Sequence, residues 1–115
     1  MLGYWNNPDA TAATLTEDGW LKTGDAGYLD AEGYLYLHDR LKDMIVSGGE
    51  NVYPAEVENV LMTHPDVADV AVIGVPDRRW GEAVKAVVVA VRGTGPTEAA
   101  LISYARSRLA GFKLP

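Results

Sequence analysis

The chain has 115 residues, of which 48% are hydrophobic, enough for one small globular domain or for one domain and part of another. Its formal net charge of -6 argues against nucleic acids and anionic membranes as partners, because both would repel an acidic surface. Cysteine is absent, which excludes disulfides and thiolate metal sites, and two histidines are too few for a histidine-based metal centre.

No targeting or membrane-spanning segment is predicted. The first residues lack the basic and apolar regions of a secretory signal, and the longest apolar run, from Ala86 to Val91, is far too short to span a bilayer. We therefore expect a protein that stays in the cytoplasm.

Residues 21–37 predict a β-hairpin. Short apolar runs at 28–29 and 34–37 flank the turn-forming segment Asp-Ala-Glu-Gly at 30–33. The first forty residues predict no helix longer than a turn or two, and they are too few to build a core of their own. We assign residues 1–40 to the β-rich tail of a larger domain, with a boundary near residues 40–42.

The next segment predicts a second hairpin followed by a helix. Apolar runs lie on either side of the glycine-rich segment 47–51, and Pro54 suits the first turn of a helix that His64 and Pro65 would end. Glu56 and Glu58 near its start are explained by their favourable charge at the positive end of the helix dipole.

The last part of the chain predicts two strands and a helix. Residues 67–75 and 83–91 are rich in β-branched side chains, and residues 98–109 carry one apolar stripe, with Thr97 as the N-cap and Gly111 closing the helix. The predicted fold class is α+β. It consists of a β-hairpin remnant of a large domain and a small C-terminal domain, residues 41–115, with a β-hairpin and a three-stranded sheet flanked by helices.

Three strings carry the chemical information: Lys-Thr-Gly-Asp at 22–25, Asp-Arg-Leu-Lys-Asp-Met-Ile at 39–45, and Ser-Gly-Gly-Glu-Asn-Val-Tyr-Pro-Ala-Glu-Val-Glu at 47–58. In order and spacing they resemble the adenylate-forming superfamily, which includes acyl-CoA synthetases, luciferases and the adenylation domains of peptide synthetases. The Trp-Gly-Glu at 80–82 and the final Gly-Phe-Lys-Leu-Pro are similar to that family's small C-terminal domain. The resemblance covers nearly the whole chain.

The resemblance implies nucleotide-binding and hinge residues. Asp25 would bind the ribose hydroxyls of ATP and AMP, Arg40 would contact the nucleotide, and Lys42 would be the hinge about which the small domain rotates. From the residues alone, Asp25 could instead cap a turn, Arg40 could be a surface arginine paired with Asp39 or Asp43, and Lys42 could simply be solvated.

The resemblance also implies a path for CoA. Gly48, Gly49 and Glu50 would line the channel for the pantetheine arm, because backbone without side chains admits a slender ligand. Trp80 and Phe112 are candidates for stacking on the CoA nucleotide. The alternatives are a plain hairpin connection for the glycines and ordinary packing for the two aromatic residues.

The implied function is that of an ATP-dependent acyl-CoA synthetase, which converts an acid and ATP into acyl-AMP and then into acyl-CoA and AMP. ATP or AMP, Mg²⁺ and CoA would be the cofactors, and the remainder of the parent enzyme and a carboxylic acid would be the partners. No metal site is expected in this chain. In the family the catalytic lysine follows a segment like residues 111–115, so we place it beyond Pro115, do not assign the role to Lys113, and expect the isolated chain to be inactive.

Two other functions remain open. One is an adenylating enzyme that loads a carrier protein instead of CoA, although the Asp-Arg pair at 39–40 resembles the acyl-CoA synthetase branch more closely. The other is a stand-alone module that binds a partner protein without catalysis. Pairing of two copies through an orphaned hairpin edge is a further expectation to be tested.

Overall fold

The computed structural model describes residues 1–115 and contains three α-helices and six β-strands. In chain order the elements are α1 (Pro8–Thr14), β1 (Asp25–Leu29), β2 (Leu35–Arg40), β3 (Ile45–Ser47), β4 (Glu50–Val52), α2 (Pro54–Met62), β5 (Val67–Asp77), β6 (Gly81–Ala90) and α3 (Glu98–Arg106). Short 3-10 turns occupy Leu41–Asp43 and Gly111–Lys113. The α+β class predicted from the sequence is confirmed.

The first hairpin forms where the sequence predicts it, and its strands run further along the chain. β1 and β2 are antiparallel, with Tyr28 opposite Tyr36 and Asp25 opposite Arg40. Asp30 closes the turn, because its Oδ1 accepts hydrogen bonds from the backbone amides of Glu32 and Tyr34, both at 2.9 Å. The register therefore brings the start of β1 beside the end of β2.

Helix α1 was not predicted individually. Asn7 caps it by accepting a hydrogen bond from the amide of Ala10 at 3.1 Å, and Pro8 occupies its first position. It has seven residues, about two turns, and buries none of them. The Asn-Pro pair was the local signal for this helix, but the absence of an apolar stripe concealed it.

Strands β3 and β4 form the second hairpin, which joins β5 and β6 in one four-stranded sheet of order β4-β3-β6-β5. The sequence predicted a β-hairpin and a three-stranded sheet. The difference arises because Ser47 in β3 pairs with Gly81 in β6, a single tertiary bridge that no local pattern encodes.

The buried side chains of the main hydrophobic core lie between residues 45 and 109. Ten buried side chains from the sheet, α2 and α3 form one cluster: Ile45, Val52, Val57, Leu61, Val67, Val72, Val84, Leu101, Ala105 and Leu109. The largest side chains that are almost completely buried are Ile45, Val52, Val57 and Leu61. Residues 45–109 therefore contain a core of the kind that holds a small domain together.

The last helix ends at Arg106, earlier than the predicted end at residue 109. The amide of Arg108 bonds to the carbonyl of Ala105, three residues back, at 2.9 Å, which tightens the chain into a turn. Leu109 still packs in the core. Gly111 begins a 3-10 turn and does not close the helix.

The first forty residues bury only one side chain, that of Ala26. Many of their large apolar side chains are exposed: Met1, Leu2, Tyr4, Trp5, Trp20, Leu21, Tyr28, Leu29, Tyr34, Leu35, Tyr36 and Leu37. The radius of gyration is 17.9 Å, whereas a compact domain of this length has about 13 Å. These observations support the division of the chain at residue 40, which stays a prediction.

None of the helices reaches the length and apolar character needed to cross a lipid bilayer.

Candidate functional site

The hairpin register brings Asp25 and Arg40 together. Nη1 of Arg40 lies 2.8 Å from Oδ1 of Asp25 and also donates to the carbonyl of Thr23 at 3.2 Å. Arg40 therefore pairs with neither Asp39 nor Asp43, the partners considered from the sequence. The side chains of Asp25 and Arg40 are 28% and 56% exposed, so the pair presents carboxylate acceptors and guanidinium donors to solvent, the groups that bind hydroxyls and phosphates.

Asp25 does not cap the turn before β1. Its backbone amide donates to the hydroxyl of Thr23 at 3.2 Å, while its carboxylate is directed to Arg40. One carboxylate oxygen is thus engaged by a cation, and the chemistry of the pair fits a sugar diol beside a phosphate.

Lys42 lies in the 3-10 turn that connects the first hairpin to the four-stranded sheet, and it is exposed. The amide of Leu41, just before it, donates to the carbonyl of Gly24 at 2.8 Å, which ties the turn to the start of β1. Its position at the junction of the two parts is the one a hinge residue would need.

Two contacts cross this junction, and the sequence signalled neither. Oδ2 of Asp39, in β2, accepts a hydrogen bond from the amide of Ala55, in the first turn of α2, at 2.8 Å. The rings of His38 and Tyr53 are stacked, with centroids 5.3 Å apart and planes 13° from parallel. Together they hold the first hairpin against the start of α2.

A groove of about 500 Å³ brings together four of the five residues expected to contact CoA. Gly48, Glu50, Trp80 and Phe112 line it, and Gly49 lies at the tip of the hairpin beside it. The amide of Gly48 donates to the carbonyl of Trp80 at 2.8 Å. Residues from three separate parts of the sequence thus share one surface.

Two features favour glycine at position 48. Its φ of +59° lies in the left-handed region, and a Cβ there would stand 2.9 Å from Cε3 of Trp80. The indole ring therefore packs directly on the hairpin backbone and forms one wall of the groove.

Each aromatic residue of the groove has a cation beside it. The guanidinium carbon of Arg79 lies 4.5 Å from the Trp80 ring, and the ammonium of Lys113 lies 5.5 Å from the Phe112 ring. Lys113 also pairs with Glu56, its Nζ lying 2.7 and 2.8 Å from the two carboxylate oxygens. Glu56 therefore anchors the end of the chain in addition to its favourable position at the helix start, and Arg79 was missed from the sequence.

Two further carboxylates bind strand amides. Glu58 accepts a hydrogen bond from the amide of Val72, and Glu82 accepts one from the amide of Val46, both at 2.8 Å. No group of three or more His, Asp or Glu side chains is placed to hold a metal ion.

Comparisons with known proteins show what this chain is similar to. The family model described as AMP-binding enzyme C-terminal domain matches residues 56–115. A fatty acid–acyl-carrier-protein ligase from Streptomyces coeruleorubidus and a feruloyl-CoA synthase from an Amycolatopsis species are each 56% identical to this chain over 115 residues, all of it. An o-succinylbenzoate CoA synthetase from Bacillus subtilis, solved with its acyl-adenylate intermediate, superposes with a TM-score of 0.91 at 48% identity over 98% of this chain.

The chain spans less than a quarter of these relatives: 22% of the carrier-protein ligase, 23% of the feruloyl-CoA synthase and 23% of the solved synthetase. The two curated relatives are equally similar to it but are named for different thiol acceptors. Overall similarity therefore does not distinguish the acceptors.

Proposed function

Because the chain belongs to the AMP-binding enzyme C-terminal domain family, we propose that it is the C-terminal part of an ATP-dependent acid:CoA ligase. Its curated relatives are acyl-CoA and fatty acid ligases. Since the chain spans less than a quarter of their length, the activity belongs to a larger protein that contains it.

In the first half-reaction a carboxylate oxygen of the acid attacks the α-phosphorus of ATP, and pyrophosphate leaves. Asp25 and Arg40 hold the nucleotide during this step: the Asp25 carboxylate accepts hydrogen bonds from the ribose hydroxyls, and Arg40 supplies positive charge nearby. Their 2.8 Å ion pair supports this role, because it fixes donor and acceptor side by side before the nucleotide binds.

In the second half-reaction the CoA sulfur attacks the acyl carbon of the acyl-AMP, and AMP leaves. The observation that carries this proposal is the groove in which Gly48, Glu50, Trp80 and Phe112 meet. Bare backbone at Gly48 lets the pantetheine arm pass, and the exposed aromatic rings offer faces for the CoA adenine. Arg79, beside Trp80, supplies a cation for the CoA phosphates.

The two half-reactions use different surfaces of this chain, so the small domain must move between them. Lys42 is the hinge of that rotation, supported by its place at the junction of the first hairpin and the four-stranded sheet. The exposed apolar side chains of residues 1–40 pack against the rest of the parent protein.

The catalytic lysine of adenylation is supplied by the parent protein outside these 115 residues. Lys113 does not fill the role, because its ammonium is held by both oxygens of Glu56. The isolated chain is accordingly proposed to be inactive.

The test is acid-dependent exchange of pyrophosphate into ATP by the full-length protein, with short-chain, long-chain and aromatic acids, each followed by an assay for thioester with CoA. Exchange with one class of acid and CoA-dependent thioester formation would establish the ligase and its substrate class. Absence of exchange with every acid would contradict it and favour a module that only binds a partner.

A second candidate acceptor is the phosphopantetheine of a carrier protein. It stays open because one relative at 56% identity is named for an acyl-carrier protein and another at the same identity is named for CoA. The same assay decides between the two acceptors when it includes a holo carrier protein. If pyrophosphate exchange occurs and the carrier is acylated but no CoA thioester forms, the carrier protein replaces CoA as the proposed acceptor.

A further inference from the structure

The glycine-rich hairpin β3–β4 is attached to the rest of its sheet at only a few points. β4 is the edge strand, and β3 pairs with β6 only through Ser47 and Gly81. The amide of Gly48 adds a bond to the carbonyl of Trp80. Beyond these main-chain bonds, the hairpin depends on side chains to fix its position.

One side chain bonds the hairpin directly to β6. Oε2 of Glu82 accepts a hydrogen bond from the amide of Val46 at 2.8 Å, where the main-chain pairing with β6 has ended. A carboxylate bound to a backbone amide is a charge-assisted hydrogen bond, stronger than one between neutral groups. Glu82 thus extends the attachment of β3 by one residue.

Strand β5, the neighbour of β6 on the side away from β3, leaves room for the Glu82 carboxylate. Gly74 in β5 has no positive φ, so its backbone does not demand glycine, but a Cβ there would stand 2.8 Å from Oε1 of Glu82 and 3.2 Å from Cγ2 of Ile45. The missing side chain at Gly74 leaves open the space that the Glu82 carboxylate occupies. This observation is independent of the hydrogen bond to Val46.

We propose that Glu82 is a positioning residue for the thioester half-reaction, holding the glycine-rich hairpin in place against Trp80 so that the groove keeps the width the thiol arm needs. It acts through Gly48 and Glu50, which line the groove, and it does not touch the nucleotide site at Asp25 and Arg40. The proposal rests on the proposed function. It predicts that loss of the carboxylate impairs the thiol step and spares adenylation.

The test uses the full-length protein and compares Glu82→Ala with Gly74→Ala. Both variants remove the bond to Val46, the first by deleting the carboxylate and the second by displacing it. Each should raise the KM for CoA about tenfold, the effect of losing one hydrogen bond to a charged group. ATP–pyrophosphate exchange should stay within about twofold of wild type, since adenylation does not use the groove.

Two further variants sharpen the result. The double variant Glu82→Ala with Gly74→Ala should be no worse than Glu82→Ala alone, because both changes act on the same bond. Glu82→Gln should recover part of the lost CoA affinity, since its amide oxygen can still accept from Val46.

Glu58→Ala is the matched control. Glu58 also binds a strand amide, that of Val72, at 2.8 Å, but it does not hold the hairpin. The Glu58→Ala variant should have a lower melting temperature and an unchanged KM for CoA. The proposal is overturned if Glu82→Ala and Gly74→Ala leave that KM unchanged, if they slow both half-reactions equally, or if Glu58→Ala reproduces their effect.

A readout that needs no activity separates this inference from the proposed function. Hydrogen exchange of the Val46 amide should be faster in Glu82→Ala than in wild type or Glu58→Ala. One outcome is that wild type forms no thioester while hydrogen exchange of the Val46 amide is still faster in Glu82→Ala. In that case the assigned reaction fails and the positioning contact stands. If the exchange rate of Val46 is unchanged, the inference fails whatever the reaction is.

Discussion

Replacing Asp39 with alanine should lower the free energy of unfolding, because it removes a hydrogen bond to the first turn of helix α2. The N-cap residue of α2, Tyr53, has no side chain that can cap, and Oδ2 of Asp39 binds the amide of Ala55 at 2.8 Å in its place. Asp39 therefore serves as a cap supplied from another part of the chain. It is half-buried, so solvent screens the bond only in part.

The magnitude follows from two terms. Loss of a capping hydrogen bond costs about 0.5–2 kcal/mol, and loss of a carboxylate near a helix N-terminus costs a further 0.3–1 kcal/mol, also approximate. We expect a decrease of about 1–2 kcal/mol in the free energy of unfolding of Asp39→Ala, allowing for overlap of the two terms. For a chain of this size that lowers the melting temperature by roughly 5–10 °C. Asp39→Asn keeps an acceptor and should lose less than half as much.

The measurement is thermal and urea unfolding of both variants, followed by circular dichroism. Asp69→Ala is the matched control: Asp39 also accepts from the amide of its neighbour Arg40, and Asp69 makes only the equivalent local bond, to Val70. The control should melt close to wild type. A melting temperature for Asp39→Ala equal to that of the control would refute the role of Asp39 as the cap of α2.

Three further changes have clear expected results in unfolding experiments. Leu61 is 1% exposed, so Leu61→Ala should cost about 2–5 kcal/mol, and a loss below that range would mean that the cavity collapses. Gly48→Ala should cost about 1–2 kcal/mol because its φ is +59°, and should displace the Trp80 ring; an unchanged stability would show that the hairpin backbone relaxes freely. The amide of Tyr34 and the neighbouring turn amides hold the pKa of Asp30 below its ordinary 3.8. A carboxyl whose pKa is lower in the folded state contributes stability above its ordinary pKa, and this stability is lost as the pH falls through its folded-state pKa. Asp30→Ala should therefore be less stable than wild type at neutral pH, and the difference in stability should shrink on acidification. A difference independent of pH would contradict this.

Local sequence patterns predicted most of the elements but not all of their boundaries. The turn at residues 30–33 and the helix start at Pro54 depend on interactions within a few residues, so the sequence alone indicates them. Helix α1 has no apolar stripe and was missed, and after α3 the carbonyl of Ala105 accepts from the amides of both Arg108 and Leu109 at 2.9 Å. Such competition between alternative hydrogen bonds has no signature in hydrophobic periodicity.

Motif resemblance named the candidate site residues, and the contacts among them were not predicted. Motif resemblance indicated Asp25 and Arg40 separately, and the hairpin register made them an ion pair. It indicated Gly48, Trp80 and Phe112 at distant points of the chain, and folding placed them around one groove. Their roles stay predictions until the half-reactions are measured.

The sequence by itself determined the α+β class, the order of the hairpins and helices and the family resemblance, because turn residues, capping residues and apolar periodicity act over short spans of the chain. Only the tertiary structure decided that Asp39 caps a helix and that Glu82 attaches a hairpin. These bonds join residues 16 and 36 positions apart, and a carboxylate in a sequence does not show which distant amide it will reach. That choice is made by the packing of the sheet and helices, which brings one particular amide within hydrogen-bonding distance and leaves the others paired elsewhere.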